Sequence, residues 1–86
     1  IIHCNDWQTA LTPIALKWKR HYNNDPFFKN SEVVFTIHNI SYQGIFGKDL
    51  LDKFGLSGAL FNPEQLEFYG RVNLLKGGIL TSDLVT

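Results

Sequence analysis

The chain has 86 residues, with eight Lys and Arg against eight Asp and Glu, so its formal net charge is zero. This length accommodates one small domain and excludes an active site between two complete domains. The balanced charge argues against nucleic acid or an anionic membrane as a partner, and no apolar run approaches the roughly 20 residues that span a bilayer.

The two ends of the sequence are apolar and strand-like, Ile1-Ile2-His3-Cys4 and Leu84-Val85-Thr86, and the chain contains no methionine. Domain ends are usually polar, so we expect these residues to be an internal part of a larger protein. The single cysteine, Cys4, excludes an intrachain disulfide and favours a reducing compartment.

Residue patterns predict three strands, at about residues 1–4, 32–37 and 84–86, because these segments are apolar and β-branched or aromatic. A first helix is predicted over about 7–22, where apolar residues recur at spacings of three and four. Pro13 lies inside it and should kink this helix or shift its start.

A second helix is predicted over about 63–79. Asn62 would cap it and Pro63 would lie in its first turn. Phe68, Val72, Leu75 and Ile79 recur at spacings of four, three and four residues, which is typical of one buried helix face.

The order strand, helix, strand, loop and helix, strand predicts an α/β fold with a partial Rossmann-like βαβαβ parallel sheet. Ligands of such sheets bind beyond the carboxyl ends of the strands. Asn5 and Asp6 follow the first strand and His38 and Asn39 follow the second, so we expect these polar residues to converge at one edge.

The segment His38-Asn39-Ile40-Ser41-Tyr42-Gln43-Gly44, called the polar loop below, is the main candidate site. It suits a hydroxyl-rich or phosphorylated small molecule, or alternatively a turn whose side chains only satisfy backbone groups. For Asp6 the spacing favours a helix N-cap, and the alternative is a carboxylate that holds a ligand hydroxyl.

No metal site is expected. His3 and Cys4 point to opposite faces of a strand, and no second Cys or His pair has zinc spacing. The glycines form neither the dinucleotide-binding pattern nor the P-loop pattern.

Four blocks of the sequence resemble bacterial glycogen synthases and plant starch synthases. They are residues 3–11 (HCNDWQTAL), 35–44 (FTIHNISYQG), 68–78 (FYGRVNLLKGG) and 83–86 (DLVT), which occur in this order through nearly the whole chain. Members of this family have two Rossmann-like domains facing a cleft, the arrangement called GT-B.

The resemblance implies a retaining glucosyltransferase that moves glucose from ADP-glucose to the non-reducing end of an α-1,4-glucan, without a metal or other cofactor. Residues 1–86 would be part of the N-terminal, acceptor-side domain, inactive alone. The resemblance further implies that His38 and Asp6 are the catalytic residues beside the transferred sugar and that Asn39, Tyr42 and Gln43 bind substrate.

Two departures from the bacterial pattern are Asn5 and Gln8, where many bacterial members have histidines. The alternatives to the main hypothesis are a non-catalytic glucan-binding or assembly segment and a GT-B transferase that uses UDP-glucose. The resemblance implies a cytoplasmic protein, or a plastid protein in a plant. Self-association through exposed sheet edges is expected for the chain alone.

Overall fold

A computed structural model describes the backbone of residues 1–86 and the side chains of all of them except Arg20 and His21. Its strands are β1 (Ile2–Asn5), β2 (Val33–Thr36), β3 (Ile45–Phe46), β4 (Glu67–Phe68), β5 (Arg71–Asn73) and β6 (Leu84–Val85). Its helices are α1 (Leu11–Trp18), α2 (Arg20–Asn23), α3 (Pro26–Lys29), α4 (Leu50–Lys53) and α5 (Leu74–Thr81), with 3-10 turns at Trp7–Thr9 and Gly58–Leu60. None of the described helices is long and apolar enough to traverse a lipid bilayer.

β2 is the central strand of a three-stranded parallel sheet with the order β1-β2-β6. Its register with β1 pairs Cys4 with Phe35, and both side chains are buried in the core. On the opposite face of the sheet, His3 Nε2 lies 2.7 Å from Thr36 Oγ1. The predicted α/β class with a parallel sheet is confirmed.

The predicted helix over 7–22 is divided into three pieces. A 3-10 turn precedes α1, and α1 ends at Trp18. Its C-cap residue Lys19 has an extended backbone (φ −91°, ψ 119°), and α2 begins after it. Pro13 is the third residue of α1, where a backbone N–H has no acceptor within the helix, so its missing N–H costs no hydrogen bond. The proline therefore shifts the helix start, one of the two predicted effects.

The prediction of a helix over 63–79 was wrong in its first half. Residues 67–73 form the antiparallel hairpin β4-β5, whose turn has Tyr69 at φ 51° and Gly70 at φ 79°. Two consecutive residues in the left-handed region cannot continue a right-handed helix. Phe68 and Val72, whose spacing of four suggested a helix, are strand residues.

Only the second half of the predicted segment 63–79 is helical. The helix α5 begins at Leu74, and its N-cap is Asn73 instead of Asn62. The Asn62 Oδ1 atom accepts a hydrogen bond from the Glu64 N–H within a turn. β3 pairs with β5 on the side away from β4, which gives a second, antiparallel sheet in the order β3-β5-β4.

The core lies between the parallel sheet, α1, α5 and the segments around α4 and residues 56–66. Its buried apolar side chains are Cys4, Ala10, Ile14, Val33, Phe35, Leu50, Leu51, Leu56, Leu60, Leu66, Val72, Leu74 and Leu75. Burial raises the pKa of the Cys4 thiol above its ordinary value, and a hydrogen bond with Thr9 partly offsets this effect. The neutral thiol packs as a small apolar group.

Two consecutive glycines let α5 lie close to its neighbours. A Cβ atom on Gly77 would lie 2.5 Å from Leu66 Cδ2 and 2.6 Å from Ile14 Cδ1, and one on Gly78 would lie 2.8 Å from Phe35 Cζ. Neither glycine has a positive φ, so backbone conformation does not require glycine at these positions. The lack of room for a side chain does.

The substitution Gly77→Ala is expected to lower the free energy of unfolding by about 1–2 kcal/mol, because overpacking outweighs the gain in helix propensity. Urea unfolding measures this loss. Gly58→Ala is the matched control, because nothing lies within 4 Å of a Cβ atom built there. A Gly77→Ala protein as stable as the unsubstituted one would contradict the close packing of α5.

Candidate functional site

The polar residues after β1 and β2 lie together at the edge of the sheet where both strands end. Asn5 is paired with Thr36 across the two strands, and the Asp6 N–H donates to the Thr36 carbonyl over 2.9 Å. β1 therefore stays attached to β2 as far as Asp6. The predicted convergence of the two polar groups is confirmed.

Asp6 joins the two strand ends through its side chain. Its Oδ1 atom accepts a hydrogen bond from the His38 N–H over 2.7 Å. The N-cap role favoured by spacing was wrong, because the carboxylate makes no capping hydrogen bond to the following 3-10 turn. Asp6 has φ 62° and ψ 176°, a backbone conformation that is strained for any residue other than glycine, and this bend accompanies the turn of the chain out of the strand.

The side chain of His38 is exposed, and its imidazole lies next to the side chain of Asn5. Its Nε2 atom is 3.2 Å from Asn5 Oδ1. The His38 carbonyl oxygen accepts no hydrogen bond from the residues whose side chains the structure describes. At the end of β2, His38 therefore has an exposed side chain and a carbonyl without a hydrogen-bond partner among the described residues.

A cavity of ≈ 340 Å³ opens beside Asp6, and its lining residues are Asp6, Trp7, Gln8, Asn39 and Tyr42. This volume is at the lower end of the range for small-molecule pockets, roughly 300–1,000 Å³. Within the described part of the chain, Asp6 Oδ2, Asn39 Nδ2, the Gln8 amide and the Tyr42 hydroxyl have no hydrogen-bond partner. The cavity therefore offers donors and acceptors to a polar ligand.

The conformation of the polar loop is restricted at both of its ends. The Asp6 carboxylate holds the N–H of His38 at its beginning. At its end Gly44 lies against Trp7, where a Cβ atom would come within 2.6 Å of the indole ring, and its φ is +68°. A residue other than glycine would be strained here in both respects.

Gln43, a predicted site residue, makes its side-chain hydrogen bonds away from this cavity. Its Oε1 atom accepts from Asn73 Nδ2 over 2.7 Å, and its Nε2 atom donates to the Ile40 carbonyl over 3.3 Å. It lines a neighbouring, mostly apolar groove between the polar loop and α5. His38 is also absent from the residues that line the Asp6 cavity.

Trp7 was not among the site residues predicted from the sequence. It lies at the start of the helix predicted over 7–22, whereas the structure places it in a 3-10 turn directly after Asp6. Its position beside Asp6 in the sequence was the available signal. Among the residues with described side chains, no group of three or more His, Cys, Asp or Glu side chains could hold a metal ion.

Comparison with known proteins gives concordant matches. A family model described as the starch synthase catalytic domain matches residues 1–86. Glycogen synthase 2 of Geobacter metallireducens is 54% identical over 86 residues, which are 100% of this chain and 17% of that protein. The glycogen synthase of Pseudothermotoga lettingae is also 54% identical, with the same coverage of both chains.

A solved structure, the catalytic domain of starch synthase IV from Arabidopsis thaliana bound to ADP and acarbose, matches with a TM-score of 0.81 and 33% identity. The match covers 98% of this chain and 17% of that one. The present chain therefore spans about a sixth of the length of these relatives.

Asp6→Ala is expected to speed hydrogen exchange of the His38 amide roughly tenfold or more, because the bond to an ionised acceptor is lost. Asp6→Asn keeps an oxygen acceptor for the His38 N–H, so its effect should be smaller. Amide exchange followed by NMR measures both variants. Unchanged exchange at His38 in the alanine variant would mean that Asp6 does not hold the loop.

Proposed function

The chain belongs to the family of starch synthase catalytic domains, and on that premise we propose that the full-length protein carrying it is a retaining glucosyltransferase. It transfers glucose from ADP-glucose to the non-reducing end of an α-1,4-glucan. The 86 residues supply one wall of the active-site cleft, in the N-terminal, acceptor-side domain. We place the protein in the cytoplasm, or in the plastid of a plant.

The observation that carries this proposal is the arrangement of Asp6 at the end of β1. One carboxylate oxygen is used to hold the His38 N–H, and the other has no partner among the described residues. Beside it the cavity offers Asn39 and Tyr42 as further hydrogen-bonding groups. Such a set of unpaired polar groups suits the hydroxyls of a glucosyl unit.

Glucosyl transfer with retention passes through an oxocarbenium-like state, in which positive charge develops at the anomeric carbon. A carboxylate or a carbonyl oxygen near that carbon stabilises this charge. Asp6 supplies the first and the unpaired carbonyl of His38 supplies the second. In this role the His38 imidazole binds a hydroxyl or a phosphate oxygen and need not donate a proton.

The choice of donor rests on the solved relative, whose structure contains ADP and acarbose. That relative supports ADP-glucose over UDP-glucose as the donor of the full-length protein. Asn39 and Tyr42 are assigned to substrate binding at the cavity, and Gln43 is assigned to the support of the loop beside it.

In the full-length protein, His38→Ala is expected to lower kcat by roughly 10²-fold or more, because it removes the imidazole that binds a hydroxyl or phosphate oxygen in the transition state. Glucose incorporation from ADP-glucose into glycogen measures the loss, with UDP-glucose assayed in parallel. His3→Ala is the matched control, since His3 is an exposed histidine bonded to Thr36 on the sheet face. Near-normal activity of His38→Ala would show that the His38 imidazole takes no part in the transfer.

We further propose that the 86-residue chain alone self-associates through its sheet edges. β1 and β6 each have one neighbour in the parallel sheet, and unpaired strand edges promote association. Sedimentation velocity should show oligomers that become fewer in Leu84→Lys, because a lysine on an edge strand opposes pairing. A monomeric unsubstituted chain at high concentration would contradict the proposal.

A further inference from the structure

Asn73 is a buried polar residue outside the candidate cavity, with 2% of its surface exposed. Its Oδ1 atom accepts the Lys76 N–H over 2.9 Å and so caps α5. Its Nδ2 atom donates to Gln43 Oε1 over 2.7 Å. Capping α5 needs only the oxygen, so the amide nitrogen of Asn73 makes a separate connection to the polar loop.

Gln43 extends this connection to the middle of the loop. While its Oε1 atom accepts from Asn73, its Nε2 atom donates to the carbonyl of Ile40 over 3.3 Å. The orientation of the Gln43 amide is therefore determined by the Asn73 donor. If that donor is lost, the amide is free to rotate and the Ile40 carbonyl loses a fixed partner.

The backbone of α5 holds the same part of the loop. The Leu75 N–H donates to the Gln43 carbonyl over 2.9 Å, and the Leu74 N–H donates to the Gly44 carbonyl over 3.0 Å. N–H groups in the first turn of a helix have no acceptor within the helix. Here the loop provides those acceptors, so the start of α5 and the end of the polar loop form one hydrogen-bonded unit.

We propose that Asn73 is a positioning residue for the candidate site. Through Gln43 it fixes the path of residues 40–43. It thereby sets the place of Tyr42, and of the adjacent Asn39, at the cavity. It contacts no substrate itself. The kinetic consequence of this role rests on the proposed function, whereas the structural consequence does not.

Asn73→Ser in the full-length protein is the main test. Serine is a good N-cap, so α5 keeps its cap while the donor to Gln43 is removed. We expect amide exchange over residues 40–43 to rise about tenfold, and kcat for glucose transfer to fall about tenfold, because a misplaced site loses rate. Asn73→Asp, which also caps and lacks the donor, replaces it if the serine variant does not fold.

Asn62→Ser is the matched control. Asn62 makes the same pair of bonds, with Nδ2 donating to Gln65 Oε1 over 2.7 Å and Oδ1 accepting the Glu64 N–H. These bonds stay within residues 59–67, away from the polar loop. We expect this variant to change exchange locally and to leave kcat as it is.

A double-mutant cycle with Gln43→Ala tests the connection itself. If Asn73 acts through Gln43, the double variant should be no slower than the worse single variant. Fully additive losses, unchanged exchange over 40–43 in Asn73→Ser, or raised exchange with unchanged kcat would each overturn the inference. If the unsubstituted protein transfers no glucose, the proposed function fails, and the exchange data alone then decide the positioning role.

Discussion

The close approach of α5 to α1 and to the parallel sheet determines where much of the chain lies. Gly77 and Gly78 allow it, because no Cβ atom stands between the helix and the side chains of Ile14, Leu66 and Phe35. The position of this helix in turn sets the place of its first turn, whose N–H groups receive the end of the polar loop. A packing constraint in the core is thus transmitted to a surface segment.

The beginning of the polar loop is held by a single carboxylate. Asp6 reaches from the end of β1 to the backbone of His38, so the two strand ends and the loop become one unit. The same carboxylate keeps one oxygen without a partner among the described residues. One side chain therefore both holds the polar loop in place and lines the cavity of the candidate site. A change at Asp6 would alter the shape of the cavity and its hydrogen-bonding groups together.

The parallel sheet and the meeting of Asp6 with His38 could be predicted, because buried strands are β-branched and parallel strands end at one edge. The contact that Asp6 makes could not, since an N-cap pattern depends on adjacent residues whereas its donor lies 32 positions further along the chain. The hairpin of residues 67–73 was missed for a similar reason. A spacing of four residues is also two strand repeats, so Phe68 and Val72 fit either structure.

The contact of Asn73 with the polar loop could not be predicted from the sequence either. Nothing local distinguishes Asn73 from Asn62, and both make an Asn-to-Gln hydrogen bond of the same length. What separates them is that Gln43 lies 30 positions from its partner and Gln65 only three. Which asparagine bonds to the polar loop follows from tertiary contacts alone.

The buried thiol of Cys4 has a consequence for oxidative chemistry. With one cysteine and no methionine, the 86 residues contain a single sulfur atom, and it lies two positions before Asp6, in β1. Peroxides attack thiolates that are exposed, and this sulfur is both shielded and held as the neutral thiol. While folded, these residues therefore present no reactive sulfur to an oxidant, and sulfur oxidation becomes a marker that β1 has left the sheet.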